Sequence, residues 1–185
     1  MLYVFGFERV GVVAGDLYFV DPAPQKGQEG AEHGARLELR LLERGELRGT
    51  IYSAQPIAIG QPVWRADFLE SVDGKPGSFD RTHHHPVFRA WDPSSRVFTR
   101  ELSADPLGWL GGKLADLDGL LAEAGFPADT AGPDDAAELR AAIPEIVDAT
   151  GRLLDRVRAG ELGNPPGAPV AAGNGAPALI RSGWL

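Results

Sequence analysis

The chain has no cysteine among its 185 residues. That excludes a disulfide scaffold, a thiolate nucleophile and any zinc or iron–sulfur site built on thiolates. Lysine is scarce as well, confined to Lys26, Lys75 and Lys113. The 18 basic residues are outweighed by 26 acidic ones, for a formal net charge of -8. Affinity for a phosphate backbone rests on Lys and Arg, so nucleic acid is not an expected partner. No apolar run approaches the roughly 18 residues of a membrane span, and no membrane partner is expected either. Met1-Leu2-Tyr3-Val4-Phe5 lacks the basic flank of a signal peptide, which predicts a soluble, cytoplasmic protein. The phosphate-cradling patterns G-x-x-x-x-G-K-[ST] and G-x-G-x-x-G are missing, as is the nucleophile elbow G-x-S-x-G.

What is present is enough for a core. Hydrophobic residues make up 43% of the chain, and the length suits one domain, or one domain with an appendage. The chain changes character near Asp105. Before it, short apolar runs alternate with turn residues, which reads as strands. Leu2–Phe7 comes first. Val10–Ala14 and Leu17–Val20 are joined across Gly15-Asp16, a hairpin signal. Pro22–Gly34 reads as a polar loop. Arg36–Glu43 sets Leu37, Leu39 and Leu41 against Glu38 and Arg40. Further strands are expected at Leu47–Ser53, Ile57–Ile59, Val63–Glu70, Phe79–His85, Phe88–Trp91 and Val97–Leu102, with Gly60-Gln61-Pro62 as a turn. The expected class is α+β and mainly β: an antiparallel barrel or sandwich over residues 1–104.

After it the spacing is helical. Asp105 suits an N-cap with Pro106 at the first helical position. Leu110, Leu114, Leu117 and Leu121 form a stripe, and Gly125 fits a left-handed cap. A second helix is expected from about Asp134 to Ala159, striped by Leu139, Ile143, Ile146, Thr150, Leu153 and Val157, with a kink or break at Pro144. Residues 105–160 thus read as a helical hairpin packed on the β domain. Residues 161–178 read as a linker, since Gly163–Ala178 holds only Gly, Pro, Ala, Asn and one Val. Residues 179–185, with Leu179-Ile180 and Trp184-Leu185, read as a docking peptide for a protein partner. The composition is also compatible with a homo-oligomer.

Three of the four histidines are consecutive: His83, His84 and His85. A strand would point His83 and His85 to one face, about 7 Å apart, and His84 to the other. Two imidazoles on one face are a common start to a metal site, and without thiols the suitable ions are Fe, Mn, Zn, Ni or Cu. The stretch Gly77-Ser78-Phe79-Asp80-Arg81-Thr82-His83-His84-His85 reads G-x5-H-x-H. It resembles the opening of the first metal-binding motif of the cupins, a family of small β-barrels. The resemblance implies a cupin-like barrel and spans nine residues. Where a cupin places a Glu, this chain has Arg89 and Ala90, and no histidine follows His85 to supply the second motif.

The remaining ligands are sought in Gln28-Glu29-Gly30-Ala31-Glu32-His33, which holds the fourth histidine and two carboxylates. His83, His85 and His33 with Glu32 or Glu29 would give three nitrogens and an oxygen. Two histidines and one carboxylate would give a facial triad with open positions. Asp80 and Glu101 are further carboxylate candidates, whereas Asp67, Glu70 and Asp73 read as solvated surface. His84 is the candidate acid–base group, with a pKa expected near neutrality. The functional expectation is a small metalloenzyme acting on a small-molecule substrate, by oxidation or isomerisation. The alternative is a non-catalytic protein-binding module using its sheet surface and its C-terminal peptide, with structural histidines.

Overall fold

The computed structural model describes residues 1–46, 49 and 55–167. The expected strand at 47–53 falls mostly outside them, and the peptide at 179–185 falls wholly outside.

Five antiparallel strands form one sheet in sequence order: β1 (Leu2–Gly6), β2 (Val10–Val20), β3 (Ala31–Arg44), β4 (Ile57–Ser71) and β5 (His83–His85). A two-stranded ribbon, β6 (Phe88–Arg89) and β7 (Asp92–Pro93), follows. Four helices complete the described chain: α1 (Arg100–Ala104), α2 (Pro106–Leu114), α3 (Leu117–Glu123) and α4 (Asp135–Arg158). The class is α+β with a mainly antiparallel sheet. Among the described residues no closed barrel is found: the strand order runs from β1 to β5 and does not return. No helix among them is long and apolar enough to cross a membrane.

Several turn signals lie inside strands. Gly15-Asp16 sits in mid-β2, paired with Arg36 and Ala35, so no hairpin forms there. Gly60-Gln61-Pro62 lies within β4. The register slips beside it, with Arg40 opposite Pro62 but Leu42 opposite Ile59. A bulge is where a strand tolerates a residue that cannot donate to the ladder. At Gly34 the backbones meet so closely that a Cβ would stand 2.0 Å from the Phe68 carbonyl oxygen. Long, bent strands thus replace the expected series of short ones.

One face of the sheet is apolar. Val10, Val12 and Ala14 on β2, Ala35, Leu37 and Leu39 on β3, and Trp64, Ala66 and Phe68 on β4 are fully buried. They share a continuous core with Leu110, Leu114, Leu120, Leu121, Leu139, Ile146 and Leu153 of the helices. Helix α4 packs across β2 and β3, and α2 packs on α4. The helix runs through Pro144 unbroken over 24 residues, its buried stripe holding it against the sheet. The expected single helix after Asp105 is instead two. Asp105 caps α2 by accepting from the Gly108 N–H, and Asp116 caps α3 by accepting from the Gly119 N–H. The expected strand Val97–Leu102 is also corrected. Thr99 accepts from the Leu102 N–H and starts α1, leaving only Val97 bridged to His84.

Candidate metal centre

The opposite face of the sheet carries charge. Strand register builds two rungs across β3, β4 and β5: Arg36 opposite Asp67 opposite His83, and Glu38 opposite Arg65 opposite His85. The His83–His85 segment is a strand, so its side chains alternate as the sequence predicts. His83 and His85 lie with Asp67, while His84 turns to the core, against the stacked pair Trp64 and Trp109 at ring separations of 6.3 and 5.2 Å.

Asp67 is 1% exposed, not the solvated surface group its sequence context suggests. Its location on a strand paired on both sides removes it from water. The Arg36 guanidinium clasps it with two hydrogen bonds, Nε to Oδ1 at 2.7 Å and a terminal nitrogen to Oδ2 at 3.3 Å. Arg65 Nε stands 3.2 Å from Oδ2. Burial alone would raise the Asp67 carboxyl. Hydrogen bonds from His83 and His85, wherever those rings donate to it, and the charges of Arg36 and Arg65 instead hold it well below the usual carboxylate range.

The two imidazoles are oriented by backbone. His83 Nδ1 lies 2.7 Å from the Arg81 carbonyl oxygen, and His85 Nδ1 lies 2.5 Å from that of Ser94. A carbonyl oxygen only accepts, so each Nδ1 carries a proton, and in the neutral ring Nε2 carries the lone pair. Both Nε2 atoms face Asp67 Oδ2, at 3.4 and 3.5 Å. His85 Nε2 is buried without a hydrogen-bond partner among the described residues. Two lone pairs aimed at an anionic oxygen repel one another. A divalent cation bonded to all three atoms would resolve the conflict.

Asp67, His83 and His85 could therefore hold a metal ion; their ligand atoms all lie within 4.8 Å of one another. Bonds of about 2.0–2.1 Å at tetrahedral angles place neighbouring ligand atoms roughly 3.4 Å apart, the spacing seen from Asp67 to each histidine. A backbone carbonyl on the far ring nitrogen is the usual support of a metal-bound histidine. The centre opens into a cavity of about 320 Å³.

Local structure places these ligands. Asp80 ties the β4–β5 connection by accepting from the Ser71 N–H and from the Ser71 and Ser78 hydroxyls. Arg81 N–H donates to Leu69, which fixes the carbonyl under His83. Ser94 N–H donates to Val87, which fixes the carbonyl under His85.

The other predicted residues lie elsewhere. His33 is on the core-side face, opposite Glu70, and lines a separate cavity with Glu70 and Arg158. Burial pushes its imidazole down, against the pull of Glu70. Glu32 is on the charged face but binds Arg96 at 2.9 Å. Glu29 is in the exposed loop and accepts from the Gly27 N–H. Asp80 serves its turn, and Glu101 is exposed on α1. The expectation for His84 is corrected: burial first, then Lys113, pushes it down to about 4, far from neutrality. Asp67 is the candidate ligand that local sequence pattern missed. Alternation places it on one face with Arg65, but only the pairing of β4 with β5 brings it to the histidines.

Comparison with known proteins gives no match: no family model, no curated protein and no solved structure matches the chain.

Proposed function

We propose that this protein is a metalloenzyme in which His83, His85 and Asp67 hold one divalent transition ion beside a small-molecule cavity. The observation that carries the reading is the convergence of two backbone-oriented Nε2 lone pairs on one buried carboxylate oxygen. Two imidazoles and one carboxylate leave coordination positions open, the arrangement used by Fe(II) and Mn centres that oxidise or isomerise small molecules. The ion supplies Lewis acidity or redox capacity. The chain supplies an ionised Asp67 and two rings fixed in one tautomer. His84 faces away from the cavity and supports the strand from the core side.

The test is elemental analysis of the full chain, purified without a histidine tag, stripped with chelator and reloaded. The expected result is one transition ion per chain, lost in His85→Ala while the fold is kept. Absence of bound metal in the parent chain after reloading would overturn the reading.

A further inference from the structure

The cavity at the metal centre is unusually rich in guanidinium groups. Arg36, Arg65 and Arg96 line it, against the carboxylates of Asp21 and Asp67, with Phe19 and Leu69 among its apolar walls. With neutral imidazoles, Arg36, Arg40, Arg65 and Arg96 are balanced by Asp21, Asp67, Glu32 and Glu38, so a divalent ion would bring the site to an excess of two positive charges. A cavity so charged, partly shielded from water, favours an anion.

The three arginines are not equally engaged. Arg36 is committed to Asp67 by two hydrogen bonds. Arg96 is held by Glu32 and Gln28, and its guanidinium lies 5.6 Å over the Phe19 ring. Arg65 is the under-used one. Its side chain is 12% exposed, its ion pair with Glu38 is long at 3.9 Å, and Phe88 supports its guanidinium at 5.6 Å. Its Nε is ion-paired with Asp67 Oδ2 at 3.2 Å but is buried with no hydrogen-bond partner among the described residues. A guanidinium that lacks full hydrogen bonding in a buried setting is costly unless a ligand supplies acceptors.

From this we infer that the ligand of the centre carries an oxyanion group, a carboxylate or a phosphoryl, received between the bound ion and Arg65. The inference rests on the metalloenzyme reading and adds the substrate class to it. A cavity of about 320 Å³ lies at the small end of the roughly 300–1,000 Å³ typical of ligand sites. That suits a small organic acid or a small phosphate ester.

The experiment is calorimetric and spectroscopic titration of the full chain loaded with Co(II), using succinate, inorganic phosphate and neutral succinamide. The oxyanions are expected to bind and to shift the visible Co(II) bands, with succinamide at least tenfold weaker. Arg65→Gln should weaken oxyanion binding tenfold or more with unchanged metal content. If Arg65→Gln does not fold, Arg65→Lys serves: it keeps the charge but loses the guanidinium fork, and oxyanion binding should again fall tenfold or more at unchanged metal content. Preference for succinate assigns a carboxylate substrate, and preference for phosphate a phosphoryl one. Full metal uptake with succinamide bound as well as succinate, with no oxyanion bound, or with an arginine variant indistinguishable from the parent, overturns this inference alone. Failure of the parent chain to take up Co(II) overturns the metalloenzyme reading and this inference with it.

Discussion

Replacing Asp67 with Asn keeps the shape of the side chain and removes its charge. Two consequences follow, and they separate by adding metal. Without metal, Asp67→Asn strands two guanidiniums. Arg36 is 32% exposed and can turn to water, but Arg65 is 12% exposed and keeps only the long contact to Glu38. Removing one partner of a buried ion pair costs about 3–5 kcal/mol, and the freedom of Arg36 puts this case near 3. For a domain of this size each kcal/mol moves the melting temperature by about 2–4 °C, so a fall of roughly 6–12 °C is expected. With metal at a hundred times its dissociation constant, the parent gains about 2.7 kcal/mol, or roughly 5–11 °C by the same conversion. Asp67→Asn should gain almost none of this. The assay is scanning calorimetry of chelator-treated protein, with and without Mn(II) or Zn(II). A metal-free variant melting within about 1 °C of the parent would refute the electrostatic argument. A full metal-induced shift in the variant would refute the assignment of Asp67 as a ligand.

Two further predictions concern the scaffold. Asp135 is fully buried and accepts from the Glu8 and Gly132 N–H groups, both at 2.7 Å, and from Arg9 N–H at 3.2 Å. Asp135→Ala leaves these donors without an acceptor and should cost about 3 kcal/mol. Urea denaturation reads this as a lower midpoint at unchanged slope, and a loss under about 1 kcal/mol would count against it. For Asp80, burial raises the carboxyl, but the bonds from Ser71 and Ser78 and the charge of Arg81 bring it below its ordinary 3.8. A carboxylate lowered in the fold stabilises above its unfolded pKa, and that contribution is lost as pH falls through the folded value. The stability gap between parent and Asp80→Ala should therefore be constant from neutral to mildly acid pH and shrink below pH 3.8. A gap unchanged at lower pH would show that the charge of Asp80 does not matter.

The centre was half legible in the sequence. Consecutive histidines on a strand must alternate, so the shared direction of His83 and His85 followed from chirality and pleat alone. The third ligand did not follow. Which strand lies beside β5 depends on long-range pairing, and nothing local to Asp67 marks it as that neighbour. The candidates nearest in pattern, His33 and Glu32, are adjacent in sequence and thus on opposite faces of β3. Leu37, Leu39 and Leu41 showed the apolar face of β3, and the cap Asp105 with Pro106 showed the start of α2. Gly15-Asp16 and Gly60-Gln61-Pro62 misled because tertiary pairing overrides local turn preference. The β4 bulge absorbs Pro62, and β2 stays paired on both sides of Gly15. The cap at Asp116 was legible in hindsight, since Asp116 and Gly119 repeat the spacing of Asp105 and Gly108.

The two halves of the centre are held to very different degrees. Asp67 belongs to a fifteen-residue strand paired on both sides. The histidines belong to a three-residue strand whose outer backbone is paired, among the described residues, by the two hydrogen bonds between His84 and Val97, of 3.0 and 2.9 Å. Opening this short segment alone would break fewer contacts than opening β4. An ion on these ligands would then have a residence time set by the fraying of β5. Both nitrogens would let go together while the carboxylate stayed in place. Exchange of the metal would be a single cooperative event, and its rate would answer to how firmly His84 is held against Trp64 and Trp109.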